Sequence, residues 1–219
     1  MIIKTPLTKD QKDFIKKHQI SEDLLFDANG EGMSDELKQN MSDTKTVLAY
    51  NATGSVENPD HNFINIEGDF VQADLDKIPF ALRTYRTGYI YIAGSKKSHL
   101  IKVGSSNEFK DRIKTLNITP KSGTIDDWEL IFQAKTETLG KVERMFQQKL
   151  SEYKSSSQYE KGKLQNGGEL YRCSYTKARD VMTPVEDEEQ FEFTQINEKK
   201  HLITEYQFKN LRAAKAVSL

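Results

Sequence analysis

The chain has 219 residues, 36% hydrophobic and 30% charged, with a net charge of −1. That composition suits a soluble protein of one domain with appendages or two small domains, and no apolar run approaches the ~18 residues of a membrane span, which excludes an integral helical membrane protein. The single cysteine, Cys173, excludes an intrachain disulfide framework. Together with an N-terminus lacking a signal-peptide apolar core, it predicts a reducing, cytoplasmic compartment.

The near-neutral total hides an uneven distribution. Residues 1–86 carry 10 basic and 15 acidic side chains, residues 87–182 carry 17 and 11, and residues 183–219 carry 5 and 7. A basic middle between acidic flanks points to a polyanionic partner for the middle alone. Three regions are therefore expected: 1–86, of unassigned role, 87–182, and a C-terminal extension 183–219.

In chain order, Thr8 and Gln11 have the spacing of a capping box ahead of a helix over Lys9–Lys17. A turn ends at Asn29-Gly30, a helix is expected over 34–42 and a short strand over Lys45–Tyr50. The Asn-, Gly-, Asp- and Pro-rich stretch 51–65 reads as a loop. Short strands are expected around Asp69–Val71 and Pro79–Arg86. Gly88–Ile92 and Leu100–Val103, rich in β-branched and aromatic residues, flank a basic turn, Gly94–His99, which is a hairpin signal. A helix is expected over about Asn107–Leu116, with Phe109, Ile113 and Leu116 as its apolar stripe. A strand follows at Trp128–Ala134 and then a helix at Leu139–Tyr153, with Leu139, Val142, Phe146 and Leu150 on one face. Residues 154–168 read as a loop, 170–174 as a short strand, 175–182 as a short helix, 190–196 as an edge strand, and 206–217 as a helix bearing Lys209, Arg212 and Lys215.

Alternation along the hairpin gives Ile90, Ile92, Ile101 and Val103 one face, and Tyr89, Tyr91 and Lys102 the other. On the two helices that follow, Arg112 and Glu143 fall at the edges of the apolar stripes. Singly, each is an ordinary solvated or snorkelling charge. Together the four residues form a set suited to phosphodiester cleavage. A carboxylate binds a hard divalent cation, a guanidinium forks onto phosphate, and a phenol serves as a base when a cation favours its ionised form. Lys96 and Lys97 in the turn, and Lys110 and Lys114 beside Arg112, are candidate phosphate contacts.

Over residues 86–182 this order of elements resembles the GIY-YIG nuclease family. The half-motifs are Gly88-Tyr89-Ile90-Tyr91 and Lys102-Val103-Gly104, with Lys102 standing for the second motif's usual Tyr as in phage-type branches. Arg112, Glu143 and the segment Gly168-Glu169-Leu170-Tyr171 stand for the helix Arg, the metal-binding Glu and the terminal signature. The histidines common one turn after the Arg and the Glu are replaced by Leu116 and Gln147.

The resemblance implies an α/β fold, with a small three-stranded antiparallel sheet flanked by helices, beside a small mixed N-terminal region and a C-terminal extension. It implies a metal-dependent endonuclease acting on DNA, with RNA left open as substrate. Tyr91, Lys102, Arg112 and Glu143 would be catalytic, with Glu143 holding Mg²⁺ or Mn²⁺. A single such site cuts one strand, so duplex cleavage calls for a homodimer or two encounters. The alternatives are a nucleic-acid-binding module without catalysis, which the missing histidines favour, and an interaction subunit docking through the acidic 1–86.

Overall fold

The computed structural model describes residues 5–54, 60–108, 111–118, 125–155, 169–183 and 191–213. The chain divides into two compact units, Met1–Arg86 and Thr87–Leu219.

The first unit is built on a three-stranded mixed sheet. Helix α1 (Lys9–Lys17) begins at the capping box of Thr8 and Gln11. Strand β1 (Leu25–Asp27) leads to α2 (Asp35–Asp43), whose first turn is capped by Ser34. Strand β2 (Leu48–Tyr50) pairs with β1 in parallel and with β3 (Ile64–Asn65) antiparallel. Leu25, Leu48 and Phe63 pack with Ile15 of α1 and with Ile20 just after it, while Phe26, Ala49 and Ile64 pack with Leu37 and Met41 of α2. The expected strand at Pro79–Arg86 is instead helix α3 (Lys77–Ala81) followed by turns. Pro79 lies in its first turn, where a missing backbone N–H costs no helical hydrogen bond.

The buried Asp27 carboxylate ties this unit together. It accepts hydrogen bonds from the Thr5 N–H (2.6 Å), the Asn29 N–H (3.0 Å) and Asn51 Nδ2 (3.0 Å). Burial pushes its pKa up, but these donors outweigh burial and hold the carboxyl below its ordinary 3.8.

The second unit is a five-stranded antiparallel sheet. Strand β4 (Gly88–Ser95) lies at its centre, with β5 (Leu100–Ser106) on one side and β6 (Trp128–Thr136) on the other. Strand β7 (Leu170–Tyr171) extends the β5 side and β8 (Thr194–Glu198) the β6 side, giving the order β7-β5-β4-β6-β8. A three-stranded sheet was expected. The two additional strands fall where short strands were expected, at 170–174 and 190–196, and it is their antiparallel pairing with β5 and β6 that widens the sheet from three strands to five.

Both faces of β4 are covered, so it reads as a nearly continuous apolar run. Ile90 and Ile92, with Ile101 and Val103 of β5, pack on Leu139, Val142 and Phe146 of α5 (Leu139–Lys149). Tyr91 and Ala93, with Leu100 of β5, pack on Leu116 of α4 (Arg112–Ile118) and on Trp128. Gly94, expected in the turn, belongs to β4 through its pairing with Ile101, and a β-carbon there would lie 2.5 Å from Cε1 of Tyr206. Helix α6 (Tyr175–Asp180), capped by Ser174, adds Tyr175 and Ala178 to the α5 side.

The expected C-terminal helix is not formed among the described residues. A 3₁₀ segment, Lys200–Tyr206, is followed by irregular chain over 207–213. Its Leu211 N–H donates to the Arg172 carbonyl (2.9 Å), and Asn210 Oδ1 accepts from the Ser174 N–H (2.7 Å). Backbone bonding to the sheet edge thus replaces the i→i−4 bonds that a helix would need.

Replacing Asp27 by Ala is expected to cost about 2 kcal/mol at neutral pH by leaving buried donors unpaired. Because the folded pKa is depressed, this contribution is full above about pH 4 and fades as the pH falls below it. Urea unfolding of wild type and Asp27→Ala at pH 7 and pH 3 checks this: the gap should narrow at pH 3.

Candidate functional site

Four of the sequence-predicted residues converge where β4 and β5 run side by side. The register sets Tyr91 opposite Gly104 and Ala93 opposite Lys102. The Tyr91 ring leans across onto Gly104, so that a β-carbon there would sit 2.5 Å from Tyr91 Cζ, inside any real contact distance. Only glycine leaves this space. The phenol is fully buried, and its oxygen accepts a hydrogen bond from Arg112 Nε at 3.3 Å. Arg112 is the first residue of α4, whose Ile113 and Leu116 anchor the helix in the cluster around Tyr91.

Burial pushes the Tyr91 phenol up to about 12. The Arg112 cation opposes that rise, while the charges of Glu169 and Glu143 add to it. Both carboxylates therefore lie within electrostatic range of one hydroxyl. They also act on Tyr171, which burial raises as well.

Lys102 is 6% exposed, and its ammonium sits 2.5 Å from Glu169 Oε2. Lys102 belongs to the catalytic set expected from sequence. In the folded protein its ammonium is held by Glu169, and the cation that acts most on Tyr91 is Arg112. Glu143 is also 6% exposed, with Oε2 accepting from Ser105 Oγ at 3.2 Å.

Two residues that complete this arrangement were not assigned a role from sequence. Glu169 was noted only as part of a terminal signature. Its position follows from pairing: Lys102 lies opposite Leu170, and the Val103 N–H donates to the Glu169 carbonyl at 3.0 Å. Gly104 was read only as a motif letter. The available signal was a glycine in an otherwise β-forming run, which marks close approach by a neighbour.

Among the candidate phosphate contacts, Lys96 pairs with Glu205 and Lys97 with Asp126 (2.8 Å). Both lysines are exposed, and these pairs are worth little in water. Lys114 is exposed on α4, and Lys110 lies outside the described residues. Tyr89 is half-buried, its hydroxyl donating to Gln195 at 2.6 Å.

Among the described residues, no group of three or more His, Cys, Asp or Glu side chains could enclose a metal ion. That donor set does not suit a dedicated cage or a zinc site. It does suit Mg²⁺ or Mn²⁺, which commonly take one or two protein carboxylates and complete their shell with water and phosphate oxygens. Glu143, whose Oε2 accepts from Ser105 Oγ, is a carboxylate of that kind, whereas Glu169 is engaged by Lys102.

Residues 88–186, just under half of the chain, match the T5orf172 domain. It is a nuclease-like, DNA-binding class of domain, distinct from GIY-YIG, and no GIY-YIG family match is found. The resemblance drawn from Gly88-Tyr89-Ile90-Tyr91 and Lys102-Val103-Gly104 is corrected accordingly. Packing explains those letters: Gly104 seats Tyr91, and Gly88 meets Leu139. Comparison with curated proteins and with solved structures found no match. Among the described residues no helix is long and apolar enough to cross a membrane.

Gly104→Ala should destabilise the second unit by about 2 kcal/mol, since the added methyl must displace a buried ring. Tyr91→Phe, which keeps the ring, should cost about 1 kcal/mol. Denaturant unfolding of both variants checks this order, and equal losses would contradict the seating of Tyr91 on Gly104.

Proposed function

We propose that the second unit hydrolyses DNA phosphodiester bonds with the aid of a divalent metal. The observation that carries this reading is the Arg112 guanidinium bound to the buried Tyr91 hydroxyl, beside a hairpin that also engages Glu143 through Ser105 and Glu169 through Lys102. The match of residues 88–186 to a nuclease-like, DNA-binding class of domain supports it.

Arg112 is the phosphate-binding group. Its Nε is engaged by Tyr91, which leaves the terminal amino groups of the fork for two phosphate oxygens. The same fork gathers charge as the pentacoordinate phosphorus forms. Glu143 would hold the metal, which would supply Lewis-acid chemistry at the phosphoryl group. Tyr91 is the base: its ionised oxygen takes the proton of a water whose oxygen bonds to phosphorus in line as the opposite P–O bond breaks, and the departing alkoxide takes a proton from solvent. Its pKa of about 12 makes the phenolate a strong base but a rare one at neutral pH. Lys102 positions Glu169 across the 2.5 Å ion pair and so fixes the negative charge beside the phenol.

A second reading is a binding module that holds DNA without cutting it. The engaged Lys102 ammonium and the high pKa of Tyr91 favour it. It predicts DNA retention without metal-dependent products.

Nicking of supercoiled plasmid in Mg²⁺ or Mn²⁺ distinguishes the two. Glu143→Ala and Arg112→Ala should each lower the rate by about 10²-fold or more. Equal cleavage by wild type and Glu143→Ala would remove Glu143 from the mechanism. The wild-type rate should climb about tenfold per pH unit between pH 7 and 9, as the phenolate fraction grows, and Tyr91→Phe should lose that slope.

A further inference from the structure

At the turn end of the β4–β5 hairpin lies a cavity of about 450 Å³ that the chemistry above does not use. Ser98, His99, Arg172, Phe208, Lys209 and Leu211 line it. Its volume is in the range of small-molecule sites. Three of the six belong to the segment 207–213, which lies beyond the residues matched to the T5orf172 domain. The C-terminal extension and the matched domain therefore build the cavity together, three lining residues each.

Its lining combines cations with an aromatic ring. Arg172 and Lys209 are exposed, and among the described residues no carboxylate pairs with either. This sets them apart from Lys96 and Lys97, which are both paired. Phe208 is half-buried. The His99 ring tilts against it at 5.2 Å, and Tyr206 meets it edge-on at 5.8 Å. His99 holds φ at +52°, the left-handed turn conformation that brings its ring to the C-terminal segment.

The wall is also preformed. The Leu211 N–H is bound to the Arg172 carbonyl, Asn210 to the Ser174 N–H, and Gln207 Nε2 to Thr176 Oγ1 (2.7 Å). A rigid wall loses little entropy when it receives a ligand.

We propose that this cavity receives an unpaired nucleotide of the DNA strand, its base against Phe208 and His99 and its phosphate between Arg172 and Lys209. Aromatic stacking with flanking cations is the usual chemistry of single-strand binding, and every base offers a face to stack on. Arg172 lies two residues beyond Leu170, the partner of Lys102, so it is about 7 Å further along the same sheet edge. A strand whose phosphate meets Arg112 can continue in that direction. The choice of DNA as polymer rests on the proposed function. The occupant's chemistry, a stacked base and a bound phosphate, rests on the cavity.

The test is equilibrium binding of a fluorescent oligothymidylate to the full chain in EDTA, where metal-dependent cleavage is absent. A blunt duplex of the same length serves as comparator. Phe208→Leu should weaken oligothymidylate binding about tenfold. Arg172→Gln and Lys209→Gln should each weaken it several-fold and reduce the salt slope by about 0.7. The same variants should leave blunt-duplex binding unchanged. Circular dichroism confirms that each variant is folded.

Oligothymidylate binding that is insensitive to all three variants but lost in Arg112→Gln overturns the cavity proposal and leaves the proposed function standing. Equal losses for the duplex overturn the assignment to an unpaired nucleotide. Sensitivity to the three variants in a protein that never nicks plasmid supports the cavity and overturns the hydrolase reading. Binding to neither probe overturns the cavity proposal.

Discussion

The Tyr91 ring rests against the backbone of Gly104, and much of the second unit follows from that contact. With no side chain at Gly104, the ring crosses onto the neighbouring strand and its hydroxyl reaches the head of α4. Arg112 is thereby held at one point, although its helix is short and its long side chain would otherwise sample many rotamers. The hydroxyl also carries the local electrostatic balance. Burial favours its neutral form, Arg112 favours the ionised form, and Glu143 and Glu169 favour the neutral form again. A site that sets one phenol between opposed charges has the composition of catalytic centres, where pKa values are displaced from their ordinary range.

The sheet presents these groups from both of its sides. Glu143 comes from α5, which packs on Ile90, Ile92 and Val103, whereas Arg112 comes from α4, on the Tyr91 side. Glu143 nevertheless reaches Ser105 on β5 and acts on Tyr91. Two helices that cover opposite faces of β4 and β5 thus each set one polar side chain against the hairpin, Arg112 on Tyr91 and Glu143 on Ser105. Their apolar stripes supply the burial that fixes the helices, and Arg112 and Glu143 stand at the stripe edges where core gives way to site.

The central hairpin and the helices were legible in the sequence because they are long enough to show a period. Gly88–Ser95 and Leu100–Ser106 alternate, and Leu139–Lys149 repeats its apolar residues at helical spacing. From that pattern alone Arg112 and Glu143 could be placed at stripe edges. Both edge strands were expected, at 170–174 and 190–196, and form at Leu170–Tyr171 and Thr194–Glu198; what local pattern could not show is that long-range pairing joins them to the sheet of the central hairpin. The segment after Tyr206 misled because Lys209, Arg212 and Lys215 have helix-like spacing, while its described residues are fixed by backbone bonds to the β7 edge. Likewise, the pairing of Lys102 with Glu169 spans 67 residues and depends on a strand register that composition does not encode. The GIY-YIG resemblance failed at the same level. Short runs of Gly, Tyr and Ile satisfy the packing of many hairpins, whereas the domain match draws on residues 88–186 as a whole.

The central claim is that a metal-assisted attack on a DNA phosphate takes place beside Arg112 and Glu143. It is tested most directly by replacing a nonbridging oxygen of the cleaved phosphate with sulfur and following single-turnover cleavage. Sulfur is a poor ligand for Mg²⁺ and a better one for softer cations. Cleavage should slow in Mg²⁺ and recover when Mn²⁺ or Cd²⁺ is added, with no recovery in Glu143→Ala. A sulfur-substituted strand cut at the same rate in Mg²⁺, in softer metals and in EDTA would contradict it.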